Sequence, residues 1–403
     1  MSAKPMEGLR VIEVAAWTFV PAAGAVLADW GADVIKIENP VGGDPQRNLA
    51  AGGIIPASSV NFIIEVPNRG KRSVGVDLTS DEGRELLYEL VRGADVFLTN
   101  FLPSTRQRLK IDVEDIRAVN PKIIYARGSG HGPNGPDAGD GGYDATSYWA
   151  RTGVAAVISQ GDEFPRSQPM AFGDVAGAQT IAGGIAAALF ARERSGEGSV
   201  VDVSLLGYGL WNVGPSIVAC ELLGIPTMPS RPREQAPNPI VGSFKTSDGR
   251  FVQLVMLQSD RYWGRLCEVL DRPDLAADPR FTDAGSRATH APACIAELDA
   301  EFAKRTLADV KTMLSLQEGP WAVHQLPIEV FDDPQIAANG YLQPVIAADG
   351  STFHLVANPV QFDEVAPTLT RAPEHGEHTE EVLLEAGHTW DDLIDWKKKQ
   401  VIS

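Results

Sequence analysis

The sequence predicts an α/β protein: a large domain on a Rossmann-like, doubly wound parallel sheet, and a smaller α/β domain. Two observations carry this expectation. Strand-like and helix-like segments alternate through the first 130 residues, as βα units do. A stretch with five prolines in fourteen residues, Pro226 to Pro239, then breaks the pattern, and a hairpin signal follows it. A chain of 403 residues also exceeds one ordinary core. The expected division is residues 1–225 and 331–403 for the large domain and 226–330 for the small one.

The elements follow in order. Arg10–Val14 is a short apolar strand, and Pro21–Trp30 reads as a helix stopped by Gly31. Asp33–Glu38 and Ser73–Asp77 are the next strands. Thr79-Ser-Asp-Glu82 resembles a capping box opening a helix through Leu86, Leu87, Leu90 and Val91. The strand Ala94–Thr99, short helices at Pro103–Lys110 and Val113–Val119, and the strand Lys122–Ala126 complete the alternation. The loop Arg127–Pro136 is rich in Gly and Pro. A helix from Val175 to Arg194, a strand Ser199–Val203 and a helix Leu205–Leu223 come next. After the Pro-rich stretch, Val241–Thr246 and Phe251–Val255 flank Asp248-Gly249 as a hairpin, and helices fill Asp260–Glu318. Strands near Leu342 and Phe353 and a helix over Asp391–Gln400 end the chain.

Composition narrows the function classes. A net charge of −18 argues against nucleic acid or an anionic membrane as partner, so an anionic ligand needs a local basic pocket. Cys220, Cys267 and Cys294 are widely spaced, without a disulfide framework or zinc pattern. With no apolar leader at the start, the expectation is a cytoplasmic protein. The apolar run at 174–194 carries Gln179 and ends in Arg-Glu-Arg, which favours a buried helix over a membrane span.

Among the motifs, Val11–Glu38 imitates a nucleotide-binding βαβ unit but lacks G-x-G-x-x-G, so a nicotinamide cofactor is not expected. Gly128-x-Gly130-x-Gly132 runs into prolines and reads as a binding loop. No metal site is expected: the seven histidines are scattered, and His375/His378 read as a solvated turn. No G-x-S-x-G elbow anchors a hydrolase triad. The basic hexamer Asn68–Ser73 reads either as a solvated turn or as a site feature. Arg106, Arg108 and Lys110 follow a strand's carboxyl end, where guanidinium groups can clamp phosphate. Asp174, in Ala171-Phe-Gly-Asp-Val-Ala-Gly177, stands at a helix start. It reads either as an N-cap or as a carboxylate nucleophile, ionised at neutral pH by the helix dipole and free N–H groups.

With these landmarks the chain resembles the class III coenzyme A transferases along nearly its whole length. The resemblance rests on Glu7–Glu13, Leu27–Glu38, Gly42-Gly-Asp-Pro45, Lys71-Arg-Ser73, Asn100-Phe101, Asn120-Pro121, Gly142-Tyr-Asp144, Gly173-Asp174 and Arg371-Ala-Pro373. It implies an interlocked homodimer acting on acyl-CoA and a carboxylic acid, with coenzyme A as substrate and no cofactor required. It implies that Asp174 is the nucleophile, with Asp144 where the formyl-CoA enzyme has a glutamate near the active site, beside Tyr143. Asn100, Phe101 and Arg108 match positions that contact the CoA tail. Thr18 falls at an active-site glutamine and Asn39 where many members carry an arginine; Thr79 replaces a lysine. Val20 replaces a glycine, and the formyl-CoA enzyme's glycine-rich flap has no counterpart near Pro237–Phe244, so with Thr18 formyl-CoA is not the expected donor. Alternatives are α-methylacyl-CoA racemase chemistry, whose histidine falls at Tyr143 with His131 as substitute, and a silent acyl-CoA-binding protein. Trp17, Phe19 and Trp149 are candidates for an apolar acyl pocket, weighed against plain core packing.

Overall fold

The computed structural model describes residues 4–49, 52, 53, 56, 58–160, 162, 164–229 and 232–403; positions 230 and 231 of the Pro-rich stretch lie outside them. The chain separates into two compact units, Met1–Met228 with Pro334–Ser403, and Pro229–Asp333.

The first unit is built on six parallel strands: β1 Arg10–Val14, β2 Asp33–Glu38, β3 Arg72–Gly75, β4 Val96–Thr99, β5 Ile124–Ser129 and β6 Val200–Ser204. Their spatial order is β3-β2-β1-β4-β5-β6, and every neighbouring pair is parallel. The order reverses between β1 and β4, which opens a crevice beyond the carboxyl ends of the strands. Alternation along each strand feeds two cores. Val11, Val34, Val96 and Ala126 face one, and Ile12, Ile35, Phe97 and Tyr125 face the other.

Helix α1 (Phe19–Asp29) covers the first face. It starts two residues before Pro21, so that proline occupies the first turn, where a missing N–H costs nothing. Helices α2 (Phe62–Asn68), α3 (Asp81–Arg92), α4 (Pro103–Leu109) and α5 (Val113–Val119) follow in the βα alternation. Ser80, rather than Thr79, caps α3 by accepting from the Gly83 N–H. After α6 (Val154–Ile158), helix α7 (Phe172–Ser195) buries a stripe of small and aliphatic residues, Gly177, Ala178, Ile181, Ala182 and Ile185, within the core that α1 also covers. By length and composition α7 could cross a membrane, yet that stripe packs inside the unit. The expected single helix at 205–223 is two, α8 (Leu205–Asn212) and α9 (Gly214–Leu223), because Pro215 cannot donate into a continuous ladder. A C-terminal hairpin, Leu342–Ile346 with Thr352–Val356, and helices at Thr379–Glu385 and Trp390–Lys398 complete this unit.

The second unit is an antiparallel three-stranded sheet, Val241–Lys245, Phe251–Val255 and Trp321–Val323, with five helices between Ser259 and Leu314. Its core gathers Phe244, Trp263, Phe281 and Phe302.

The basic hexamer is not a solvated turn. Lys71 is fully buried, with its ammonium 2.8 Å from both Glu13 carboxylate oxygens and 2.8 Å from the Pro21 carbonyl. Arg69 pairs with Asp29, and Arg72 with Asp33. The His375 and His378 segment is likewise stitched to the sheet, since the Ser73 N–H donates to His378 Nδ1 and His375 Nε2 lies 2.9 Å from the Asn39 carbonyl.

Candidate active site

A cavity of about 570 Å³ lies at the carboxyl ends of the strands, at the β1/β4 reversal. Four strands send residues at or just beyond their carboxyl ends to the rim: Trp17 after β1, Asn39 after β2, Asn100 and Phe101 after β4, Arg127 to Gly130 at the end of β5. Tyr143, Asp144 and Asp174 close the other side.

Asp144 opens a wide π-type turn, Asp144–Ala150, and is 6% exposed. Its two carboxylate oxygens accept from the Gly173 N–H at 3.1 and 3.2 Å, and the Asp174 N–H and the Gln168 amide add to the set. Asp144 therefore satisfies the open N–H groups of α7 from thirty residues upstream. Gly173 is required by this approach: a Cβ there would lie 2.4 Å from the Tyr148 ring and 2.5 Å from Asp144 Oδ1.

This corrects the reading of Asp174 as an N-cap. Helix α7 starts at Phe172, its N-cap is Ala171 in the left-handed region (φ 52°) with no side-chain bond, and Asp174 sits inside the first turn. Its ionisation is displaced from the ordinary carboxylate range as well. Burial first, and the like charge of Asp144 second, push the Asp174 carboxyl up to about 7. Burial also raises Asp144 above the ordinary carboxylate range, against the pull of the Gly173 and Asp174 N–H groups. Among the described residues no Lys or Arg pairs with either carboxylate. Two carboxyl groups with displaced ionisation face one cleft, which suits acid–base or nucleophilic work.

The other predicted residues divide. Asn39, Asn100, Phe101 and Tyr143 line the cavity. The Asn100 amide is already committed, however: Oδ1 accepts from the Ala16 N–H at 3.1 Å and Nδ2 donates to the Ala16 carbonyl at 2.6 Å. It mounts the β1–α1 loop from within the cavity lining. Arg108 is exposed on α4 outside the lining, and Thr18 bonds Gln46 at 3.1 Å, also outside it. Helical spacing explains the first case, because Arg106, two residues away on α4, turns inward, donates to the Phe101 carbonyl and pairs with Asp112. Thr79 bonds Asp77 away from the cleft. Trp17 and Phe19 line the cavity, whereas Trp149 lines a separate depression and donates to the Arg166 carbonyl. His131 lies 3.2 Å from an Arg151 nitrogen through Nδ1 and is not in the lining.

Sequence reasoning missed a buried charge network under the β1–α1 loop. Lys36 and Asp44 form an ion pair at 3.0 Å, both side chains wholly buried, and Lys36 also donates to the Ala15 carbonyl at 2.8 Å. Asp44 accepts from the Trp17 N–H at 3.1 Å. Glu38, clamped by Arg47 through two bonds and by Ser73, is held down at about 2 although burial opposes it. The alternation signal at Glu13 and Lys36, charged residues inside apolar strands, could have revealed this cluster. Trp17 itself has φ 68°, unusual for a bulky residue and costing on the order of 1 kcal/mol.

Comparison with known proteins decides the family. The model of CoA-transferase family III matches residues 6–379. The chain belongs to CoA-transferase family III. It is similar to (R)-2-hydroxy-4-methylpentanoate CoA-transferase of Clostridioides difficile, with 31% identity covering 98% of this chain and 99% of that one. It is also 31% identical to cinnamoyl-CoA:phenyllactate CoA-transferase of Clostridium sporogenes, covering 98% and 96%. A solved CAIB/BAIF family protein from Brucella suis superposes with a TM-score of 0.81 at 28% identity, over 96% of this chain and all of that one. The protein is thus an enzyme, a CoA transferase acting on acyl-CoA.

Proposed function

We propose that this CoA transferase works through covalent catalysis at Asp174. The observation that carries the reading is the pair Asp144–Asp174 at the N-terminus of α7, facing the cavity where the β1 and β4 loops diverge.

The ionised Asp174 carboxylate attacks the thioester carbonyl of acyl-CoA. The C–S bond breaks, CoA leaves as thiolate, and an acyl–aspartyl anhydride remains. The thiolate then attacks the Asp174 carbonyl carbon, the bond from that carbon to the bridging oxygen breaks, and the donor acid departs as carboxylate with that oxygen. An aspartyl-CoA thioester is left. The acceptor carboxylate attacks this thioester, expelling thiolate and forming the second anhydride. Thiolate attack on its acyl carbon gives the new acyl-CoA and restores the Asp174 carboxylate. No proton is gained or lost over the cycle, and no further cofactor enters it.

Asp144 holds the first turn of α7 and sets the charge that Asp174 feels. Two relatives are named for a branched hydroxy acid and for aromatic acids, and others for the dicarboxylic acids succinate, glutarate, mesaconate and citramalate. We also propose a homodimer. Helix α9 buries none of its side chains, and Trp211, Leu222 and Leu223 are exposed, an apolar face that a second copy would cover.

Asp174→Ala tests the nucleophile: CoA transfer falls below detection while acyl-CoA binding, read by calorimetry, persists. Retained transfer contradicts the reading. Deuterium uptake at the α-carbon of a 2-methylacyl-CoA, without transfer, would assign racemase chemistry instead.

A further inference from the structure

We propose that Trp17 and Tyr143 form an aromatic wall that selects an aryl acyl group and excludes a dicarboxylic one. The proposal rests on the transferase reading above and names the acyl class that its site takes.

Trp17 is fixed with unusual thoroughness for a loop residue. Its left-handed backbone (φ 68°) is held by the Asp44 carboxylate on its own N–H, by the Asn100 amide on both backbone groups of Ala16, and by Lys36 on the Ala15 carbonyl. Asp44 and Lys36 are themselves buried and paired. A strained conformation held from three sides marks a side chain whose direction matters. That side chain meets the Tyr143 ring edge-to-face, with centroids 5.9 Å apart and planes at 89°, and both residues line the cavity that holds Asp174. Tyr143 is 61% exposed, so the pair presents ring surface to the cleft rather than to a packed core.

Charge makes the complementary argument. Of the acids lining the cavity, Glu38, Asp44 and Asp202 are paired with Arg47, Lys36 and Arg127, whereas Asp140, Asp144 and Asp174 have no Lys or Arg partner among the described residues; the arginines of the lining are Arg106 and Arg127. Both arginines are engaged, Arg106 by Asp112 and Arg127 by Asp202. A second carboxylate on the acyl group would therefore enter a negative lining in which neither arginine is open to it, a penalty that a neutral aryl group avoids.

The test is degenerate exchange, in which cinnamoyl-CoA, propanoyl-CoA or succinyl-CoA is each mixed with its own 13C-labelled acid and label entering the thioester is read by mass spectrometry. Wild-type enzyme is expected to exchange the cinnamoyl pair at least about tenfold faster than the succinyl pair. Trp17→Ala should lower the cinnamoyl-to-propanoyl ratio about tenfold or more, and Trp17→Phe should restore most of it. Tyr143→Ala alters an exposed side chain and should lower the same ratio, which keeps the test decisive if Trp17→Ala does not fold. Succinyl exchange equal to or faster than cinnamoyl, or an unchanged ratio in the variants, overturns the proposal. No exchange with any pair overturns the transferase reading and the proposal with it; exchange with the wrong selectivity overturns the proposal alone.

Discussion

The Asp144 carboxylate accepts the Gly173 N–H at 3.1 and 3.2 Å, so the residue that caps α7 also sets a negative charge against Asp174 one residue further on. Backbone order and side-chain reactivity are coupled through one carboxylate.

A pH dependence follows. The nucleophile is the ionised form, and Asp174 is pushed up to about 7, so kcat/KM should rise with pH through about 7 and level above it. Asp144→Asn removes the like charge while its side-chain oxygen can still accept from Gly173. The limb should move to lower pH but stay above the ordinary aspartate range, because burial, the larger cause, persists. A pH–rate profile from pH 5 to 9 for both proteins reads this; an unmoved or upward-moved limb contradicts it.

The same displacement has a stability cost. Asp174 holds its proton in the folded state where the unfolded chain has released it, so its contribution is unpenalised below about pH 4. Stability is then lost as pH rises towards about 7, and the deficit is full above that. Asp174→Asn should therefore be more stable than wild type at pH 8 by at most about 4 kcal/mol, less because the carboxyl borders the cleft, and the gain should shrink as the pH approaches 4. Urea titrations at both pH values check the sign.

Gly173→Ala places a methyl group against Tyr148 and Asp144 at 2.4–2.5 Å. Displacing either is expected to destabilise the protein by about 1–3 kcal/mol and to lower kcat by an order of magnitude, since the Asp144 bond to α7 must lengthen. Thermal melts and steady-state rates measure the two effects together.

Asn100→Ala separates mounting from ligand contact. Loss of both bonds to Ala16 should lower stability by about 1–3 kcal/mol and reduce kcat/KM for every acyl-CoA tried. A raised KM with unchanged thermal stability would instead mean that Asn100 touches CoA directly.

Much of the sheet was legible, because apolar strands and amphipathic helices follow periodicities that a short window contains. β1, β2 and β4 fall where alternation and turn residues put them, and the core strip of α7 repeats at helical spacing. What was hidden is set by distance along the chain. Asp174 passes for a cap because the true partner of the helix end, Asp144, comes thirty residues earlier. Lys71 passes for a surface charge because Glu13 lies 58 positions away. The hold of Asn100 on Ala16 is hidden because the two lie on loops of neighbouring strands, 84 positions apart. Family resemblance located the carboxylates; only the packed chain reveals that burial dominates both, with the charge of Asp144 adding to it at Asp174 and the N–H groups of the helix end opposing it at Asp144.

The most direct measurement is intact-mass spectrometry of the enzyme mixed with cinnamoyl-CoA, with and without hydroxylamine. Covalent catalysis at Asp174 predicts an acyl or CoA adduct, converted by hydroxylamine to a hydroxamate on Asp174 and absent from Asp174→Ala. Label mapped to another residue, or transfer proceeding at full rate with no trapped species, would contradict it.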